Sequence, residues 1–203
     1  MRRPICALLI VWCFGLATAG AQNEPRFAPL QFIPALSEAP DVIDGDTLWI
    51  GIHEIRLFGV DAIEDGQTCT DAAGRTVDCF KRSREELVAW VAKPGFHCIG
   101  MVGKNNKPRR SYGRYLATCK VGDVEVNTAM VESGWAFAAY YVGDARRGIK
   151  PCGQKGADAF QSVENTARTA SRGLHALKVD LNHPCRWRSR NNRDCPNAAS
   201  DSG

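Results

Sequence analysis

An α+β fold, with the strands gathered into a small barrel, is what this sequence predicts. Three observations carry that expectation. The first half of the chain reads as short β-branched strands broken by glycine, helix-period patterns appear only later, and no segment repeats. Short, strongly bent strands are closed most economically as a barrel.

The elements follow in order. "MRRPICALLIVWCFGLATAGAQ" has two arginines, an apolar run and then small residues, the pattern of a secretory signal peptide over residues 1–21. The apolar run is short for a bilayer span, which needs roughly 20 residues. No stable membrane association is expected once it is cleaved. Residues 22–40 carry four prolines and no clear period, and read as an extended linker or arm. Strands are expected at 41–50 and 53–60, with Gly51 at the reversal. A polar loop, "DGQTCTDAAGRTVDC", comes next. Residues 80–92 place Phe80, Leu87, Val88 and Val91 on one helical face, and "KPG" ends the helix. Strands at 96–102 and 115–121 flank the basic loop "GKNNKPRRSYGR". A short helix is expected near 127–133, and a final one from Ala157 to Arg172 with Gly173 as its stop. The tail, residues 177–203, is basic, proline-broken and cysteine-containing.

Composition narrows the class. With 44% hydrophobic and 24% charged residues, the 203-residue chain is globular in character. A net charge of +4 permits a polyanionic partner without requiring one. Signal cleavage would remove Arg2 and Arg3 and no acid, so the mature chain is less positive. It would also remove Cys6 and Cys13. The remaining cysteines are Cys69, Cys79, Cys98, Cys119, Cys152, Cys185 and Cys195, an odd number. Export favours disulfides. Zinc is not indicated, because no C-x-x-C pair and no His pair at ligand spacing is present. Cys98 and Cys119 fall in strands that would be neighbours, and Cys69 and Cys79 would close a short loop. Cys185 with Cys195 could staple the tail, and Cys152 with either of them is an equal rival.

The chemistry concentrates in "DVIDGDTLWIGIHEIRLFGVDAIEDG", residues 41–66. Asp46 and Asp61 lie at the ends of neighbouring expected strands. Two carboxylates brought together repel, and a hard divalent cation relieves that repulsion. Thr47 and the backbone carbonyl of Ala62 add oxygen donors, and Glu64 is three residues beyond Asp61. Arg56 inside a strand needs an anionic partner, and a phosphate matches its planar fork. Arg114, with Tyr112 two residues before it, is a second arginine of this kind. Taken singly, "DGDT" and "YGR" read as turn chemistry and a solvated loop. The ordered set of acid, arginine, acid, glutamate, tyrosine and arginine is more specific.

That set, in "VIDGDTL", "IRLFGVDAIE", "SYGRYLATC", "VNTAMVESGWAFAAY" and "SRGLH", resembles the staphylococcal nuclease (thermonuclease) family over residues 41–176. The resemblance implies a five-stranded barrel of the oligonucleotide-binding (OB) type with about three helices. It implies one Ca²⁺, rather than Mg²⁺, held by Asp46, Asp61 and the Ala62 carbonyl. It implies that Glu64 acts on the attacking water and that Arg56 and Arg114 grip the phosphate. Tyr112 and Tyr140 would line the nucleotide pocket. Three positions depart from the family pattern: Ile63 replaces a proline, Ser111 a lysine and Val142 a tyrosine. The implied activity is hydrolysis of DNA or RNA with little sequence specificity, on single or frayed strands, by a secreted or periplasmic bacterial monomer. Lys104, Lys107, Arg109 and Arg110 would track the backbone, or simply form a solvated hairpin tip. Arg56→Ala or Glu64→Ala is expected to abolish most nuclease activity and leave the fold intact. A catalytically silent nucleic-acid or polyanion binder, or a protein of a cell-surface or exopolysaccharide assembly, is the competing expectation.

Overall fold

The computed structural model describes residues 30–32, 39–103, 107–139, 154–179 and 184. The signal-peptide expectation, Lys104, Tyr140, Val142, Cys152, Cys185, Cys195 and most of the linker and tail lie outside the described residues. Helix side chains are described from Phe160 onward in the last helix.

In chain order the strands are β1 (Gln31–Phe32), β2 (Asp41–Val42), β3 (Thr47–Ile50), β4 (His53–Leu57), β5 (Val60–Ala62), β6 (Cys69–Thr70) and β7 (Thr76–Val77). Helix α1 (Cys79–Val91) follows, then β8 (His97–Gly100), β9 (Arg110–Ser111), β10 (Arg114–Val121) and β11 (Val124–Glu125). Helix α2 (Val126–Glu132), β12 (Ala136–Ala138), helix α3 (Gln154–Thr169), a 3-10 turn (Gly173–Ala176) and β13 (Lys178–Val179) complete it. Among the described residues the fold is α+β with three α-helices.

The main sheet runs β1-β8-β10-β4-β3-β2 and curls like half a barrel. Its hydrogen-bonding path does not close among the described residues; β5 pairs with β12, and β6 with β7 and β13, as separate sheets. At the centre, β10 runs parallel to β4, with Leu116 opposite Arg56. Alternation sends Leu48, Ile50, Ile55, Leu57 and Ala117 into the core. Thr47, Trp49, Glu54, Arg56 and Arg114 therefore share the opposite face.

Two expected strands are interrupted. Residues 43–46 bend between β2 and β3, and Gly59, at φ +76°, breaks the second strand so that Asp61 lies on β5. This break carries β5 back across the far face of the sheet. There Asp61 meets Arg56, and the Asp46 carbonyl accepts the Leu57 N–H at 2.8 Å. Gly45 permits the approach, because a Cβ there would collide with Ser83 Oγ and the Ala62 Cβ. Ser83 on α1 in turn donates to the Trp135 carbonyl at 2.7 Å.

Asn127 fastens α2 to the sheet. It is fully buried, accepts the Cys119 N–H at 2.8 Å and donates to the Phe58 and Ala117 carbonyls at 2.9 and 3.1 Å. These bonds tie the ends of the parallel pair together and hold its register. Glu164 on α3 accepts the Ala138 N–H at 3.0 Å, which satisfies the outer edge of β12. Disulfides Cys69–Cys79 and Cys98–Cys119 are both formed. The second joins residues directly opposite each other on β8 and β10.

Candidate active site

The site grows from the register of β3, β4 and β10. Thr47 lies opposite Arg56, and Arg56 beside Leu116, two residues from Arg114. The bend at 44–46 then brings Asp46 over the same face. Its Oδ1 accepts from Thr47 Oγ1 at 2.7 Å and from Arg56 Nη1 at 2.9 Å. Its Oδ2 accepts the Ala62 N–H at 3.0 Å. Arg56 Nη2 donates to Asp61 Oδ1, also at 2.9 Å. Arg114 Nη1 donates to Thr47 Oγ1 at 3.1 Å, so the hydroxyl links the second arginine to the Asp46 carboxylate.

Asp46 and Asp61 are 2% exposed and Arg56 is 4% exposed. Such a buried triad is tolerated because each carboxylate faces a guanidinium nitrogen in good geometry. Asp44 stands at the edge of this group, its Oδ1 accepting the Asp46 N–H at 2.8 Å. Burial, reinforced by the Asp46 charge, raises its pKa to about 7.

Glu64 lies on the loop that leaves β5. Its N–H donates to Gln67 Oε1 at 2.8 Å, and its carbonyl accepts the Gln67 N–H at 3.1 Å. Gly66, at φ +77°, supplies the left-handed third position that this turn needs. Ile63 is 1% exposed. It packs with Cys69, Cys79, Phe137 and Leu174, an apolar anchor that restrains the loop. Gln67, 5% exposed, is a residue that sequence reasoning did not single out. Its signal was its position three residues past Glu64 in a D-G turn.

The remaining candidates are spread outward. Tyr112, 87% exposed and at φ +51°, forms with Gly113 the two-residue turn between β9 and β10. Arg110 donates to the Gly113 carbonyl at 2.7 Å and stacks 3.7 Å over the Tyr115 ring. Arg109 lies 5.7 Å from the centre of the Phe58 ring, and Lys107 is exposed. The structure therefore gathers Asp44, Asp46, Thr47, Arg56, Asp61 and Arg114, with the basic loop standing off to one side.

Among the described residues, no group of three or more His, Cys, Asp or Glu side chains is close enough to hold a metal ion. The donors that do converge are carboxylates, and they already share one positive charge, the Arg56 guanidinium. The donor set therefore fits a hard, oxygen-seeking cation in kind. Carbonyl or water oxygens would have to complete its coordination. The Ala62 N–H is already committed to Asp46 Oδ2.

No family model matches the chain. It is 34% identical over 102 residues to the succinoglycan biosynthesis protein ExoI of Rhizobium meliloti (strain 1021). The alignment covers 50% of this chain and 50% of that protein, so the chain spans about half the length of the curated relative it matches. Among the described residues, no helix is long and apolar enough to cross a membrane.

Proposed function

We propose that the protein is an exported, Ca²⁺-dependent nuclease that hydrolyses phosphodiester bonds of DNA or RNA. The observation that carries this reading is the buried Asp46–Arg56–Asp61 triad, joined through Thr47 to Arg114. Two guanidinium groups and two carboxylates on one sheet face suit a phosphodiester better than a neutral substrate. The two disulfides favour an extracytoplasmic setting. In this reading the curled sheet is completed to a closed five-stranded barrel of the OB type.

Asp46 and Asp61 would hold the metal, with the Ala62 carbonyl as a further donor. When bound, Ca²⁺ would supply positive charge to a phosphoryl oxygen. Arg56 and Arg114 bind the other oxygens and stabilise the charge that develops there, an effect commonly worth about 3–4 kcal/mol per group. Glu64 orients the attacking water and accepts its proton, worth roughly 10²- to 10⁴-fold. The turn to Gln67 fixes the direction of Glu64. Tyr112 and the basic loop guide a single or frayed strand toward this centre, with Tyr140 assigned to the same pocket by the resemblance.

Digestion of DNA and RNA with Ca²⁺, with Mg²⁺ and with chelator tests the reading. Cleavage that needs Ca²⁺ and is lost in Glu64→Gln is the expected result; no cleavage of either polymer under any condition overturns it.

One observation favours a second reading. Arg56 is already neutralised by two carboxylates, which suits a silent barrel that binds polyanions or serves an exopolysaccharide assembly, as the ExoI relative's name suggests. The same digestion assay separates the two.

A further inference from the structure

Next to the triad runs a row of side chains of which only Arg114 has a role in the chemistry above. On β3, Trp49 follows Thr47 by two residues and so projects from the same face, roughly 7 Å along the strand. Trp49 lies opposite Glu54 on β4 and Asp41 on β2. Arg114 is next in line, because Tyr115 pairs with Ile55 and places Arg114 beside Glu54. The row therefore reads Asp41, Trp49, Glu54, Arg114 across four strands.

Trp49 is 37% exposed, although Trp is costly to leave in water. Among the described residues no ring or cation stacks on its indole, and neither the Glu54 nor the Asp41 carboxylate makes a hydrogen bond or an ion pair. A partly exposed indole between two uncommitted carboxylates, one strand from an arginine assigned to the phosphate, is a constellation of groups awaiting partners.

We propose that Trp49 and Glu54 form a nucleobase subsite that prefers guanine, a proposal that rests on the nuclease reading. An unstacked base lies against the indole, as single-stranded bases do on aromatic platforms. A base stacked on Trp49 has its edge over the neighbouring strand, where Glu54 stands. An ionised carboxylate only accepts hydrogen bonds, through two oxygens. It therefore selects a base edge with two adjacent donors. Guanine offers such an edge in N1–H and the N2 amine; adenine and thymine do not. The charges also set direction. Glu54 and Asp41 repel the phosphate from the Trp49 end, while Arg114 attracts it to the other. The base goes to Trp49 and its backbone goes to the triad. Asp41 lies on the far side of Trp49, outside this pairing.

The test uses the full chain and two readouts. The first is cleavage of oligothymidylates carrying one central guanine, hypoxanthine or adenine. The second is quenching of indole fluorescence by guanosine or adenosine 5′-monophosphate, with Trp49→Phe identifying the Trp49 signal. The expected preference for guanine over adenine is roughly ten-fold, the discrimination a bidentate pair provides. Hypoxanthine, which lacks the N2 amine, falls between them. Glu54→Gln brings the guanine-to-adenine ratio toward one; in the cleavage assay Trp49→Ala raises KM at guanine and adenine alike, and Trp49→Phe restores part of the loss. Equal cleavage around all three bases overturns the subsite and leaves the nuclease reading standing. Guanine-selective quenching without cleavage supports the subsite and overturns the nuclease reading. Quenching of Trp49 by a neutral cello-oligosaccharide but by neither nucleotide overturns the base assignment in favour of a saccharide.

Discussion

The guanidinium of Arg56 lies 2.9 Å from the carboxylate of Asp46, and both side chains are almost wholly buried. The same guanidinium reaches Asp61 at 2.9 Å. Arg56 is thus part of the interior as well as a candidate for gripping a phosphate. This revises the expectation that Arg56→Ala leaves the fold intact. Removing the arginine strands two buried negative charges, and breaking a buried pair in this way costs about 3–5 kcal/mol. Urea unfolding of Arg56→Ala in chelator should show a loss of that order. Ca²⁺ should return part of it, because a ligand that binds only the folded state stabilises it. A loss below about 1 kcal/mol in chelator would mean that the triad is not a structural unit.

The triad also predicts a competition. In the neutral variant Arg56→Gln, Asp46 and Asp61 no longer share a protein cation. Calorimetric titration should then show tighter Ca²⁺ binding than in the wild type, by about ten-fold for each 1.4 kcal/mol of attraction removed. Binding of a phosphate-bearing ligand to the Ca²⁺-loaded variant should weaken in parallel. Unchanged Ca²⁺ affinity would place the metal away from Asp46 and Asp61.

Much of this constellation could be read before any coordinates. The spacing of Asp46, Arg56 and Asp61 in strand-like sequence, together with the Arg114 motif, named the residues that meet. The Cys98–Cys119 bond followed from strand adjacency, since the two residues pair directly on β8 and β10. What stayed hidden depended on non-local geometry. The parallel pairing of β10 with β4 joins segments about sixty residues apart, and no local pattern encodes it. Strand β12 was missed because "AFA" shows no alternation; all three residues are buried. Asn127 looked like an ordinary helix residue, yet its amide holds the two central strands in register. Asp44 read as turn chemistry, and only burial beside Asp46 reveals its raised pKa.

Asp44 makes stability depend on pH. Its pKa rises from the ordinary 3.8 to about 7 in the folded chain. Between those values the folded state holds a proton that the unfolded state has released, so this group's contribution to stability falls as pH rises through that window. Asp44→Asn keeps an oxygen to accept the Asp46 N–H and removes the charge. In chelator the variant should be more stable than wild type at about pH 8, with the difference shrinking toward about pH 4. Denaturation midpoints across that range provide the check. A difference that stays constant with pH would show that Asp44 does not titrate in this window.

The Glu64 loop has its own test. Its direction is set on one side by Gln67, whose side chain and backbone both bond Glu64, and on the other by buried Ile63. Just beyond, Cys69–Cys79 closes a ten-residue separation. If Glu64 orients the water, loosening this loop should slow turnover more than it weakens binding. Gln67→Ala should lower kcat by roughly ten-fold to a hundred-fold, within the range that general-base positioning supplies, with KM little changed. Replacing Cys69 and Cys79 together by serine should cost about 2–3 kcal/mol of stability in the chain-entropy account and lower kcat in the same direction. The physical reason is shared: both changes release the backbone of the Glu64 loop, and neither touches the residues proposed to hold the phosphate. A Gln67→Ala variant with wild-type kcat and a raised KM would instead assign this loop to substrate binding and leave the water without its positioned base.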